Sequence, residues 1–119
     1  MAAQSQKNVK QADAYLITKN KQKFALEIEL SAKWDRKLDQ FVLSSLSSMN
    51  KSEANPEPVD SIIIATDSKA IIKRYKQAFK PGATLPIWTK NDRGFWSIQK
   101  QIEINNDHEG KILWVELNI

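Results

Sequence analysis

The sequence predicts an α/β fold, a mixed central sheet flanked by two helices. Three observations carry that prediction. Strand-forming stretches alternate in order with two amphipathic helical stretches, as in a sheet with helices laid on its faces. The stretch 59–66, VDSIIIAT, is almost wholly apolar, as a central strand is. The stretch 24–30, FALEIEL, alternates strictly, as a strand with two unlike faces does.

In chain order, residues 13–18, DAYLIT, are strand formers, and the polar run 19–23, KNKQK, is a turn that makes a hairpin with the next strand. In that strand Phe24, Leu26, Ile28 and Leu30 point one way, while Ala25, Glu27 and Glu29 point the other. Ser31 is a suitable N-cap for a helix running to about Asn50, with Trp34, Leu38, Phe41, Val42, Ser45, Leu46 and Met49 on one face. Its opposite face carries Lys33, Arg36, Lys37 and Gln40. Residues 51–58, KSEANPEP, form a loop, because two prolines and an asparagine fall within them.

The apolar strand 59–66 follows, expected to be covered on both faces. Asp67 or Ser68 caps a second helix that buries Ile71, Ile72, Tyr75, Ala78 and Phe79 and exposes Lys69, Lys73, Arg74, Lys76 and Lys80. Pro81-Gly82 stops it. Residues 85–89, LPIWT, read as a strand at an edge or a strand start because of Pro86. Residues 95–104 read as a strand or a short helix, and 111–117 as a final strand.

Composition bounds the function classes. The 119 residues fit a single domain, 1–119, with residues 1–11 as a flexible or helical N-terminal extension. There is no cysteine, which excludes disulfides and thiolate metal sites. No apolar run reaches the length of a membrane span, and residues 1–11 lack a signal-peptide core, so a cytoplasmic protein without a membrane partner is expected. The net charge is +4, which is compatible with nucleic-acid binding.

The chemistry concentrates in residues 13–37. Glu27 and Glu29, two apart on one strand, leave the same face about 6–7 Å apart. Counting outward from the turn, Asp13 faces roughly Glu29, so three carboxylates converge at one sheet edge. Such a cluster repels itself unless a cation joins it. Hard oxygen donors suit Mg²⁺ or Mn²⁺, and a nearby lysine, Lys33, can steady charge developing on a phosphoryl group. Taken alone, two glutamates on a strand read more simply as the solvated face of a hairpin; Asp13, Lys33 and the basic helix face beyond them raise the functional reading.

The stretch ADAYLI…FALEIELSAKWDRKLDQF resembles the PD-(D/E)XK nuclease superfamily, the restriction-endonuclease-like fold. More closely, it is similar to replication-relaxation proteins and to plasmid mobilisation relaxases of the MOBC type. The resemblance covers residues 12 to about 41. It implies a restriction-endonuclease-like core and a divalent-metal-dependent DNA nuclease or relaxase acting on phosphodiester bonds in plasmid mobilisation or replication. Asp13, Glu27 and Glu29 would be the metal-binding and catalytic acids, and Lys33 the catalytic lysine, moved from the strand to the helix. Apart from the resemblance, the basic helix faces offer Arg36, Lys37, Lys73 and Arg74 to the DNA backbone, against the simpler reading of the second helix's cations as a solvated face. Ala12 stands where the family has proline, and the strand itself carries no lysine. The winged-helix segment that often precedes this domain in the family is missing, which leaves target recognition unexplained; the partners expected are DNA and a homodimer, an additional DNA-binding domain or a protein partner. The competing reading is a non-catalytic DNA-binding or protein-interaction module that keeps the fold.

Overall fold

The structure, a computed structural model, describes residues 12–118, and the extension expected over 1–11 lies outside them. Among the described residues, six strands and two helices follow in the order β1 (Ala14–Ile17), β2 (Lys23–Ile28), α1 (Asp35–Ser48), β3 (Ser61–Thr66), α2 (Lys69–Phe79), β4 (Thr84–Lys90), β5 (Trp96–Glu103) and β6 (Ile112–Glu116). The main sheet is mixed, in the order β1-β2-β3-β6. β1 and β2 form the expected antiparallel hairpin, whereas β3 runs parallel to both β2 and β6. Parallel neighbours need a crossover, and α1 and α2 supply the two of them. No helix among the described residues is long and apolar enough to cross a membrane.

β3 is central as its composition predicts, with Ile62, Ile64 and Thr66 buried. Both helices cover one face of the sheet. Ala25, Ile62 and Ile64 there meet Leu38, Phe41 and Val42 of α1 and Ile71, Tyr75 and Phe79 of α2. Phe41 stacks against Tyr75 and Phe79, at centroid distances of 5.7 and 6.0 Å, and Phe79 meets Trp114 of β6 edge-on.

The expected cover on both faces is not found. Leu16, Ile28, Leu113 and Val115 are exposed on the opposite face. Together with Phe24, Leu26 and Ile63 they form an apolar surface that no described helix covers. The alternation in FALEIEL gives β2 two unlike faces. The side with Ala25, Glu27 and Glu29 is buried under the helices, and the side with Ile28 and Leu30 is exposed.

β4 and β5 do not join the main sheet. They form a separate two-stranded antiparallel ribbon with an irregularity at Ile87/Trp88. β5, which the sequence left between strand and helix, is a strand exposed along its whole length. The ribbon packs on α1 through β4. Leu85 and Ile104 enter the core, and the Trp88 indole N–H donates to Asp39 Oδ2 at 2.9 Å. Pro86 fits because its missing N–H costs little in a two-stranded ribbon.

α2 begins where expected, with Ser68 Oγ accepting from the Ile71 N–H, and ends before Gly82, whose φ of +91° suits only glycine well. α1 does not begin at Ser31. It starts at Asp35, behind an extended Trp34 that gives no side-chain cap, and Asp35 itself has φ +48°. The reason is tertiary. The Lys33 N–H donates to the Tyr75 hydroxyl at 2.8 Å, which holds the chain extended across the space between strand and helix. Aspartate tolerates the left-handed region better than most residues, whereas a β-branched side chain there is a steric outlier. Asp35→Val should therefore cost about 1–2 kcal/mol in urea unfolding, while Asp35→Gly stays within about 0.5 kcal/mol of the native chain. Equal losses in the two variants would mean that the turn carries no strain.

Candidate functional site

Glu27 and Glu29 are both buried, with Glu29 only 4% exposed. This excludes the solvated-hairpin reading for both. Glu29 lies just beyond β2, but its N–H still donates to Ala65 O at 2.9 Å, so it continues the ladder beside β3. A carboxylate buried this deeply needs partners, and Glu29 has two. The Lys33 ammonium sits 2.6 Å from each of its oxygens, and the Tyr75 hydroxyl donates to Oε2 at 3.1 Å. The Lys33 ammonium also lies 4.8 Å from the centre of the Phe41 ring.

Tyr75 closes the arrangement. Its hydroxyl accepts the Lys33 N–H and donates to Glu29, joining α2 to the strand end and to the start of α1. Burial, reinforced by the negative Glu29 and opposed by the Lys33 N–H, pushes its pKa up to about 12. That is the reverse of what a tyrosine nucleophile needs. Tyr15, the other tyrosine of the chain, is exposed, with Lys23 Nζ 4.7 Å over its ring.

Asp13 precedes β1. Its N–H donates to Leu26 O at 3.0 Å, and its Oδ2 accepts the Ile28 N–H at 2.7 Å. The carboxylate thus stands in for a strand carbonyl where β1 runs out. Ala14 pairs with Leu26, so Asp13 comes level with Glu27 and not with Glu29, two residues from the position expected by counting. A gap of about 20 Å³ adjoins Glu27, between Ala12, Tyr15, Ala25 and the α1 serines Ser44, Ser45 and Ser48. Three carboxylates match a hard divalent cation in kind. As arranged, Glu29 is held by Lys33 and Tyr75, and the described residues contain no group of three His, Cys, Asp or Glu spaced to hold a metal ion.

Around this acidic centre runs a surface of cations laid on aromatic rings. The Arg74 guanidinium lies 3.6 Å from the centre of the Trp34 ring. The Arg36 guanidinium lies 4.2 Å from that of Trp96, with Lys90 Nζ at 5.5 Å. Arg36 also donates to Gln40 Oε1 at 2.9 Å. Lys37 and Lys73 are exposed on the same two helices. Trp34, expected on the core face of its helix, is 58% exposed, because α1 starts after it and leaves it at the mouth of the site. Trp114 packs against Phe79 and Trp88 bonds to Asp39, whereas Phe95 and Trp96 are exposed. His108 is half-buried in the turn before β6, and its pKa is lowered by burial and by Lys111.

The structure therefore brings Glu29 and Lys33 together as an ion pair, sets Asp13 level with Glu27, and places Arg36 and Arg74 on aromatic faces. Tyr75 and the Trp34, Phe95 and Trp96 surface are the parts that sequence reasoning missed. The signal for the second was the aromatic pair Phe95-Trp96 next to Arg93 and Lys90. No protein-family profile, no curated protein and no solved structure matches this chain.

Proposed function

We propose that the chain is a DNA-processing module with a restriction-endonuclease-like core, acting on phosphodiester bonds as a nuclease or a relaxase-type domain of plasmid mobilisation or replication. The observation that carries this reading is the pair of buried carboxylates, Glu27 and Glu29, on one face at the C-terminal end of β2, with the Lys33 ammonium 2.6 Å from Glu29. Ligands of α/β sheets gather outside the carboxyl ends of their strands. A hairpin leading into a β2–α1–β3 crossover supports the core assignment.

Asp13, Glu27 and Glu29 are the residues that would hold Mg²⁺ or Mn²⁺. The ion would polarise a phosphoryl oxygen and lower the pKa of a water bound to it. Lys33, a third exposed, can leave Glu29 for charge developing on the phosphate. Arg36, Lys37, Lys73 and Arg74 would take neighbouring phosphates. A second reading, DNA binding without hydrolysis, is favoured by one specific feature: both oxygens of Glu29 are already engaged by Lys33.

Supercoiled-plasmid nicking with and without Mn²⁺ or Mg²⁺ separates the two. Metal-dependent nicking that Glu27→Gln abolishes, together with a metal-induced rise in Tm lost in the same variant, is the expected result. Salt-sensitive DNA binding unchanged by Glu27→Gln, with no nicking and no rise in Tm, would leave the binding module.

A further inference from the structure

We propose that the β4–β5 ribbon and the start of α1 form a single-stranded nucleic-acid platform, on which unpaired bases stack against Trp96 and Trp34. This rests on the DNA-processing reading and adds the kind of nucleic acid bound. The ribbon is built unlike a core element. Every residue from Thr89 to Glu103 is exposed, and Leu85, Ile87, Trp88 and Ile104 tie its far end to the core and to α1.

At its tip the turn Asn91-Asp92-Arg93-Gly94 is closed by Asn91 Oδ1, which accepts the N–H groups of Arg93 and Phe95 at 2.9 Å each. Phe95 follows at 65% exposure and Trp96 at 39%. Large aromatic groups left this open beside a hydrogen-bonded turn lose contact area that the core could have used, and with Ile98 and Ile102 they add exposed apolar surface to the ribbon.

The cations decide what it binds. Arg36 and Lys90 converge on the Trp96 ring, and Arg74 lies on the Trp34 ring. Arg36 and Trp34 are two residues apart, so both aromatic-cation units meet at the N-terminal end of α1. Arg93 and Lys100 add charge along the ribbon. An open groove of about 560 Å³ between α1, α2 and the start of β4 has Lys73 and Arg74 on its wall, and Arg74 is the cation that lies on Trp34.

An apolar protein partner would have no use for three cations laid on two indoles, with two more along the ribbon. A duplex would take the cations but offer its stacked base faces to no ring. Only an unpaired strand supplies bases for the rings and phosphates for the cations at once. Cations seated on the indoles also fix the ring planes before binding, which lowers the ordering needed on association.

The test uses the full chain and fluorescence anisotropy with labelled dT12 and with a 12-base-pair duplex at one stated salt concentration. The expected result is tighter binding of dT12. Trp96→Ala and Trp34→Ala should each weaken it about fivefold or more, with the duplex affinity changed less than twofold. Trp96→Phe should recover most of the loss, which a purely structural role through Arg36 would equally allow. Quenching of tryptophan emission by unlabelled dT12 in the unsubstituted chain, reduced in Trp96→Phe and further reduced when Trp34→Phe is added, supplies the readout that packing alone would not move.

If dT12 binds but neither alanine variant weakens it, or the duplex binds more tightly, the platform is refuted while the DNA-processing reading stands. If neither nucleic acid binds, both fall. Trp96 is exposed enough for its variants to fold, and circular dichroism checks this.

Discussion

Lys33→Met is expected to lower the unfolding free energy by about 3 kcal/mol, the low end of what stripping one partner from a buried ion pair costs. The low end applies because Lys33 is itself 33% exposed, so water already screens part of the pair. Glu29 drives the effect. Only 4% exposed, its carboxylate would keep a single donor, the Tyr75 hydroxyl. Glu29→Gln placed in the same chain removes the stranded charge, so the double variant should recover much of the loss. The cycle of native chain, two single variants and the double isolates the coupling between them. Urea unfolding reads it, and a single-variant loss below about 1 kcal/mol would mean the pair is screened as a surface bridge is. The same variant bears on function. With Lys33 gone, Oε1 of Glu29 is released for a cation while Oε2 keeps the Tyr75 hydroxyl, so Mn²⁺ should raise the Tm of Lys33→Met more than that of the native chain. If the metal leaves both unchanged, the ion pair is a structural device and the binding module is the better reading.

What the sequence carried about this site was what local pattern can carry. Glu27 and Glu29 share a strand and Lys33 follows within a few residues, so their common face and proximity came directly from the period of two and the short link. The register did not. The turn region 19–23 has no Asn-Gly or Asp-Gly signal, and it is Lys21 that adopts φ +64°. Nothing local fixed where the hairpin reverses, and Asp13 came out level with Glu27.

The start of α1 failed for a different reason. Ser31 has the right chemistry for a cap, but a hydroxyl 42 positions along the chain holds Lys33 extended and delays the helix to Asp35. Trp34 was assigned to the core by a helical period that had not yet begun at its position. The separation of β4 and β5 from the main sheet was equally out of reach. Alternation marks a strand but not the sheet it joins, and that choice rests on contacts such as Trp88 with Asp39, 49 residues apart. The partner that reaches the buried glutamate side of β2 from α2 belongs with these. Carboxylates on a core strand were legible in the alternation, but the Tyr75 hydroxyl that joins Lys33 on Glu29 comes from 46 positions along the chain.

Tyr75→Phe tests that last step and should destabilise the chain by about 1–3 kcal/mol at neutral pH. The ring still fills its place against Phe41, but the Lys33 N–H loses its acceptor and Glu29 loses a donor in a buried setting. The pH dependence identifies the hydroxyl as the cause. Burial raises the folded pKa of Tyr75 from 10.0 to about 12, so the folded chain keeps a proton that the unfolded chain gives up. Stability from this group is therefore fully present below about pH 10 and is lost as pH rises toward 12. Two pKa units correspond to roughly 2–3 kcal/mol across that window. The advantage of the native chain over Tyr75→Phe should shrink steadily in urea unfolding series taken between about pH 9 and 11.5. Lysine deprotonation is common to both chains and cancels in the difference. A gap that stayed constant with pH would show that the hydroxyl is not the buried link between strand, helix and Glu29. In that case the ion pair with Lys33 alone would have to hold the carboxylate in the core.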